Sequence, residues 1–206
     1  MNVVVLFLKA PVLGTVKTRL AKDIGIDGAL DVYQFLVEHT YEVTKELEYN
    51  KAIFYSEYVE IEDIWDTEAY KLLVQKGADL GERMLHAFTY AFEKKFEKVV
   101  IIGTDCFELK KDHIEEAFGQ LDENDVVIGP AKDGGYYLIG MNKLYPKLFE
   151  AKEYSHDQVL KEVLTEIGQM NAKFHLLTEL SDIDTFQDLK DSDIDFTFVE
   201  PEDGDQ

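Results

Sequence analysis

Lys9, Lys17 and Arg19 fall close together in V-V-V-L-F-L-K-A-P-V-L-G-T-V-K-T-R-L, residues 3–20 of an otherwise acidic chain. The 206 residues hold 42 Asp and Glu against 21 Lys and Arg, a net charge of -21. Arg19 and Arg83 are the only arginines, and each adjoins a glycine-marked segment. An acidic chain that gathers cations behind one apolar run suits a small anion site, and phosphate is the anion this pattern fits best. Gly14 lets backbone approach a ligand closely, and the N–H groups after it can cradle phosphate oxygens. Arg19 can bind two oxygens at once. The plainer alternative is a turn followed by a solvated basic helix start, although cations at a helix N-terminus oppose the macrodipole.

Carboxylates supply the opposite sign. The apolar run V-V-I-I ends in Gly103, Thr104 and Asp105. An acid at the end of such a strand can hold Mg²⁺ through hard oxygen contacts while the metal bridges phosphates. Asp105 could instead cap the next helix, but Asp112, with Glu115 three residues on, suits that cap better. In L-S-D-I-D-T-F-Q-D-L, Asp182, Asp184 and Asp188 crowd a strand-to-helix transition, which is costly without a cation or hydrogen bonds. Either a second metal carboxylate or N-capping by Asp184 or Thr185 accounts for them. In G-P-A-K-D-G-G-Y-Y-L-I-G, Asp133 precedes Gly134 and Gly135, a ligand loop or an ordinary hairpin turn. In K-G-A-D-L-G-E-R-M, Arg83 either faces a nucleotide, a phosphate or Asp105, or pairs with Asp79 one helical turn back.

The elements that must position these groups follow from periodicity. Short apolar runs, several rich in Val and Ile, read as strands at Val3–Leu8, Ala52–Ser56, Lys71–Gln75, Val99–Gly103, Asp125–Gly129, Tyr136–Gly140 and Phe174–Thr178. Helical patterns fill Asp27–Tyr49, Asp79–Phe96, Asp112–Leu121 and Ser155–Ile167. Such alternation predicts a three-layer α/β/α domain with a mainly parallel sheet. The P-A-K-D-G-G connection is too short for a helical crossover, so the sheet should be mixed. Residues 1–190 read as one domain. Residues 191–206 contain seven acids and no base, and are expected to be a loosely attached tail.

Charge makes nucleic acid and anionic membrane poor partners for the general surface. Cys106 is the lone cysteine, so a reducing compartment fits, and its thiol reads as a small core residue. No run approaches a membrane span, and the first apolar run reads as a strand rather than a signal peptide; the expected location is cytoplasmic. His156, in Y-S-H-D, reads first as a helix-start residue, with base or metal ligand as alternatives. Nothing matches a Ser-His-Asp triad, a zinc cluster or a Walker loop. The absence of G-x-G-x-x-G after the first strand counts against a dinucleotide oxidoreductase.

Five ordered segments together carry a resemblance: K-A-P-V-L-G-T-V-K-T-R-L, G-A-D-L-G-E-R-M, I-I-G-T-D-C, G-P-A-K-D-G-G-Y-Y-L-I-G and D-I-D-T-F-Q-D-L. Across Val3 to about Leu189 the chain resembles small bacterial transferases associated with radical-SAM and selenodomain genes. Some of these are arsenosugar-biosynthesis glycosyltransferases of the nucleotide-diphospho-sugar transferase superfamily, with a GT-A-like fold. K-T-R-L is also similar to the strand-one loop of 2-phospholactate guanylyltransferases and, more distantly, molybdenum-cofactor guanylyltransferases. The resemblance implies nucleotide contact at Lys9, Pro11, Gly14, Lys17 and Arg19, joined by Gly81, Arg83 and Thr104. It implies Mg²⁺ or Mn²⁺ at Asp105 and Asp184, catalytic roles for Lys17, Arg19, Asp105 and Asp133, and acceptor or sugar contacts at Gly134, Gly135, Ser155 and His156. Two departures stand out: Phe107 where the family usually has Pro, and Tyr154-Ser155-His156 where it commonly has W-S-T. The expected reaction is transfer from a nucleotide-sugar to a small acceptor, with nucleotidyl transfer or non-catalytic nucleotide binding as alternatives.

Overall fold

The computed structural model describes residues 1–60, 64–65, 68–150, 152–154 and 156–195. All seven expected strands form: β1 (Asn2–Leu8), β2 (Asn50–Tyr55), β3 (Tyr70–Val74), β4 (Lys98–Ile102), β5 (Val126–Pro130), β6 (Tyr136–Met141) and β7 (Phe174–Leu176). They make one sheet in the order β3-β2-β1-β4-β6-β5-β7. Every neighbouring pair is parallel except those involving β6, which runs against both β4 and β5. The short connection after β5 forces that reversal, because no parallel return fits into so few residues.

Among the described residues five α-helices accompany the sheet: α1 (Ala21–Lys45), α2 (Leu80–Glu93), α3 (Lys111–Gln120), α4 (Val159–Gln169) and α5 (Phe186–Asp191). Alternation along each strand sends side chains to two faces, and both are buried. Val4 and Leu6 of β1 pack with Tyr33 and Val37 of α1 and with Ile114 and Phe118 of α3. Val3 and Val5 pack with Met84 and Phe88 of α2 and with Val163 and Ile167 of α4. The outcome is the expected three-layer α/β/α domain.

Three local features have physical reasons. α1 is kinked at Gly25, whose φ of 77° and ψ of 166° are non-helical, so the uninterrupted helix starts close to Asp27 but a turn precedes it. The cap of α3 is Lys110, not Asp112: the His113 ring Nδ1 accepts the Lys110 N–H at 3.1 Å while the His113 N–H donates to the Lys110 carbonyl, which moves the cap back two residues. Helix α5 forms at the strand-to-helix transition expected over residues 180–189, and of the two caps offered there it takes Thr185. Thr185 caps it, its hydroxyl accepting the Asp188 N–H while Asp188 Oδ2 accepts the Thr185 N–H at 2.7 Å. The tail expected over 191–206 lies outside the described residues from 196 onward, as does Ser155. No described helix is long and apolar enough to cross a membrane.

Candidate active site at the carboxyl ends of β1 and β4

In open α/β sheets ligands bind beyond the carboxyl ends of the strands. Here β1 and β4 are adjacent and parallel, with Leu6 opposite Ile102, so the loops that follow them emerge side by side. The segment after β7 joins them. Leu177 N–H donates to Ile128 O, Leu180 N–H to Pro130 O, and Ile183 N–H to Asp105 O at 2.9 Å. Ile183 is 1% exposed and packs with Leu20, Val32 and Leu36. With Ile183 anchored, the aspartates on either side of it turn the other way, toward the cavity.

That cavity has a volume of about 450 Å³. Lys9, Lys17, Arg19, Arg83, Thr104, Asp105, Asp182 and Asp184 all line it, with apolar walls from Phe7, Met84 and Tyr136. The α1 residue Tyr33 sets the position of Lys9: its hydroxyl accepts the Lys9 N–H and donates to the Lys9 carbonyl, both at 2.9 Å.

Lys17 occupies the centre. Its side chain is 4% exposed, and its ammonium lies 2.6 Å from Asp105 Oδ1 and 3.0 Å from Asp184 Oδ1. Burial alone would lower its pKa, but the two carboxylates outweigh that and raise it above the ordinary lysine value. Its backbone sits at φ 45°, in the left-handed region, a strain of roughly 1 kcal/mol that the anchored side chain and the onset of α1 hold in place. The expected knot of three cations is therefore rearranged. Lys17 is neutralised by two acids, whereas among the described residues no ion pair engages Lys9, Arg19 or Arg83. Arg83 does not pair with Asp79: its Nε donates to Gly77 O at 3.2 Å, and Asp79 is the N-cap of α2.

The alternatives left open for the acids resolve in the same way. Asp105 caps nothing, since α3 starts only at Lys111. Asp184 does not cap α5, a task Thr185 performs. Their side chains are 44% and 42% exposed, and no other described side chain bonds their second oxygens. Asp182 lies between these like charges, and its carboxyl is pushed up to about 7, first by desolvation and then by Asp105, Asp133 and Asp184. The chain's sequence marked Asp182 as crowded but not as perturbed, because burial is invisible without the fold.

An unfolded aspartate titrates near 3.9, so the folded chain holds the Asp182 proton over a range where the unfolded chain has lost it. Stability contributed by that proton is present at low pH and lost as pH rises toward 7. Asp182→Asn is expected to lose that decline, becoming more stable relative to wild type by about 2 kcal/mol between pH 5 and pH 8. Urea unfolding of both proteins at the two pH values measures it, and parallel behaviour would refute the assignment.

Several other candidates stay out of the cavity lining. Pro11 and Gly14 lie on the outer part of the β1–α1 loop, Gly14 at φ 77° with open space around it. Gly81 serves packing: a Cβ there would lie 2.6 Å from the Phe149 carbonyl oxygen. Asp133 and Gly135 form a tight turn, with Asp133 Oδ1 accepting the Gly135 N–H at 2.8 Å. The close approach permitted by Gly134, at φ 90°, is made by Asp157 backbone, whose oxygen would be 2.2 Å from a Cβ. His156 accepts the Gln158 N–H at the entry to α4 and is exposed. Cys106 lines the cavity, but burial foremost pushes its thiol up to about 12, so it is not a thiolate near neutrality.

With this geometry in place, residues 40–156 match the model of a family described as an uncharacterized protein conserved in bacteria, DUF2064. The chain belongs to that family. A crystal structure from Desulfovibrio desulfuricans G20, described as a putative nucleotide-diphospho-sugar transferase, is 30% identical over 91% of this chain and 84% of that one, with a TM-score of 0.84. The fold extends further. A 4-diphosphocytidyl-2C-methyl-D-erythritol synthase from Anaerococcus prevotii DSM 20548 is 10% identical, covering 92% of this chain and 94% of its own, with a TM-score of 0.57. CMP:2-keto-3-deoxy-manno-octonic acid synthetase complexed with CTP is 9% identical, covering 92% and 95%, also at 0.57. These two establish shared architecture alone. No curated protein matches the chain significantly in sequence.

Proposed function

We propose that this DUF2064 protein is a metal-dependent transferase that binds a nucleotide-diphospho-sugar in the β1–β4 cavity and transfers the sugar to a small acceptor. One observation carries the reading. Three cations without ion-pair partners among the described residues, Lys9, Arg19 and Arg83, line the same cavity as two partly exposed carboxylates, Asp105 and Asp184. A phosphate group with its metal satisfies both signs at once, and the similarity to the Desulfovibrio transferase supports the donor class.

The donor set suits magnesium. Mg²⁺ is commonly held by one or two carboxylates together with substrate phosphates, and Asp105 and Asp184 offer two hard oxygen donors on the wall of a cavity open to phosphate. When bound, Mg²⁺ would neutralise charge on the leaving phosphate oxygens. The chain's own groups bind and orient: Arg19 and Arg83 clamp phosphate oxygens, Lys9 adds charge, and the backbone of the β1–α1 loop approaches the donor. The Tyr136 side of the cavity and the nearby β5–β6 turn hold the acceptor, a region in which Asp133 lies close enough to act on Asp182.

A second reading, nucleotidyl transfer from a nucleoside triphosphate, is favoured by the same three cations, which suit the larger charge of a triphosphate. Thermal unfolding in the presence of nucleoside triphosphates and nucleotide-sugars, each with and without Mg²⁺, separates them. A sugar donor is expected to raise the melting temperature most, and by more with metal than without. If no nucleotide shifts unfolding at millimolar concentration, the site does not bind nucleotide and the proposal fails.

A further inference from the structure

Resting on the nucleotide-transferase reading, we propose that the Lys17 ammonium is a resident counter-ion that closes the Asp105–Asp184 pair to divalent metal until phosphate draws it away. Metal and nucleotide then enter as one unit, and the free protein is a poor metal binder. The geometry for this is already set. One cation touches one oxygen of each carboxylate, at 2.6 and 3.0 Å, with its side chain 4% exposed. A magnesium ion would have to share these two carboxylates with a lysine ammonium, whose like charge disfavours it at either oxygen of each acid. The ammonium already holds the oxygen pair that the two acids present together, so phosphate must draw it away before metal binds well.

The backbone of this lysine is fixed as well. It adopts φ 45°, a conformation few non-glycine residues take, and its carbonyl accepts the Ala21 N–H at the start of α1. The other cations of the cavity have no such anchor in acids. A phosphate arriving at Arg19 and Arg83 brings negative charge beside Lys17 and offers its ammonium a new partner. The carboxylates are then released to metal at the moment when metal is useful. Asp105 and Asp184, each more than two-fifths exposed, remain solvated during the exchange, which keeps its cost low. A free protein that does not hold metal also avoids presenting an activated cation to water or to a wrong anion.

Titration of Mn²⁺ followed by its electron paramagnetic resonance, with no nucleotide present, tests the exclusion directly. Lys17→Met and the polar, uncharged Lys17→Gln are expected to bind one Mn²⁺ at least about tenfold more tightly than wild type, since removing a like charge from the site favours the cation. Adding Asp184→Asn to Lys17→Met should abolish the gain. Equal affinity in wild type and both folded variants overturns the proposal, as does a gain that persists without Asp184. Should neither variant fold by circular dichroism, wild type decides: one-site binding of Mn²⁺ alone tighter than about 0.1 mM overturns it, and weaker binding supports it. Failure of every nucleotide to shift unfolding would sink the transferase reading while leaving this Mn²⁺ comparison intact.

Discussion

Asp105→Ala is expected to reduce turnover by at least about 10³-fold while the protein still folds and still binds nucleotide. The residue sits just past the end of β4, beside the loop after β1, and directs a partly exposed carboxylate into the cavity. Loss of a hard oxygen donor there would remove half of the protein's share of the proposed metal site. Folding should suffer little, because Asp184 still accepts from Lys17 at 3.0 Å and the lost pair is partly solvated, worth about 1 kcal/mol. Nucleotide affinity without metal should be almost unchanged, since Lys9, Arg19 and Arg83 remain. Turnover is measured with whichever donor raises the melting temperature, and binding by the size of that rise. A non-catalytic nucleotide-binding module predicts the opposite pattern: no turnover in wild type to lose, and binding indifferent to Asp105. Retention of turnover within tenfold in Asp105→Ala would remove this carboxylate from the chemistry.

Arg19→Ala and Arg83→Ala should each weaken nucleotide binding by about 10- to 100-fold, the loss of one or two charge-assisted hydrogen bonds to phosphate. Neither is expected to change stability appreciably. Arg19 is exposed and has no ion pair among the described residues, and Arg83 gives up a single 3.2 Å bond to Gly77 O. Affinity losses should shrink as salt is added, because these cations face an open cavity. Calorimetric titration at low and moderate salt reads both effects. The comparison that matters is with lysine replacements. Arg19→Lys keeps charge but not the planar fork, so partial recovery identifies a bidentate phosphate contact, whereas full recovery identifies simple charge. If both alanine variants bind as wild type, the anion is held elsewhere and the cavity reading collapses.

Much of this was legible from residue order. The Val- and Ile-rich runs announced the strands because burial on both faces demands continuous apolar sequence. The six-residue P-A-K-D-G-G connection announced the reversal at β6 because geometry leaves no other return. Asp105 was visible as a strand-end acid, and Lys17 as a cation of the loop after the first strand. The boundaries that slipped did so for local reasons: the His113 ring accepting the Lys110 N–H moved the cap of α3, and Gly25 broke the first turns of α1. The lack of a side chain at Gly134 serves a ligand or a neighbouring backbone equally well, and only the fold shows Asp157 backbone lying against it.

The sequence by itself determined the layers, the mixed sheet and the kinds of charge available, since these follow from periodicity, loop length and composition. Only the tertiary structure decided which charge meets which. Lys17 lies 167 residues from Asp184 along the chain, and no local pattern relates them. Their contact exists because β1 lies beside β4 and because Ile183 is buried against α1, turning its flanking aspartates inward. That arrangement occupies the place expected for a metal with a lysine, and leaves the anion to Lys9, Arg19 and Arg83.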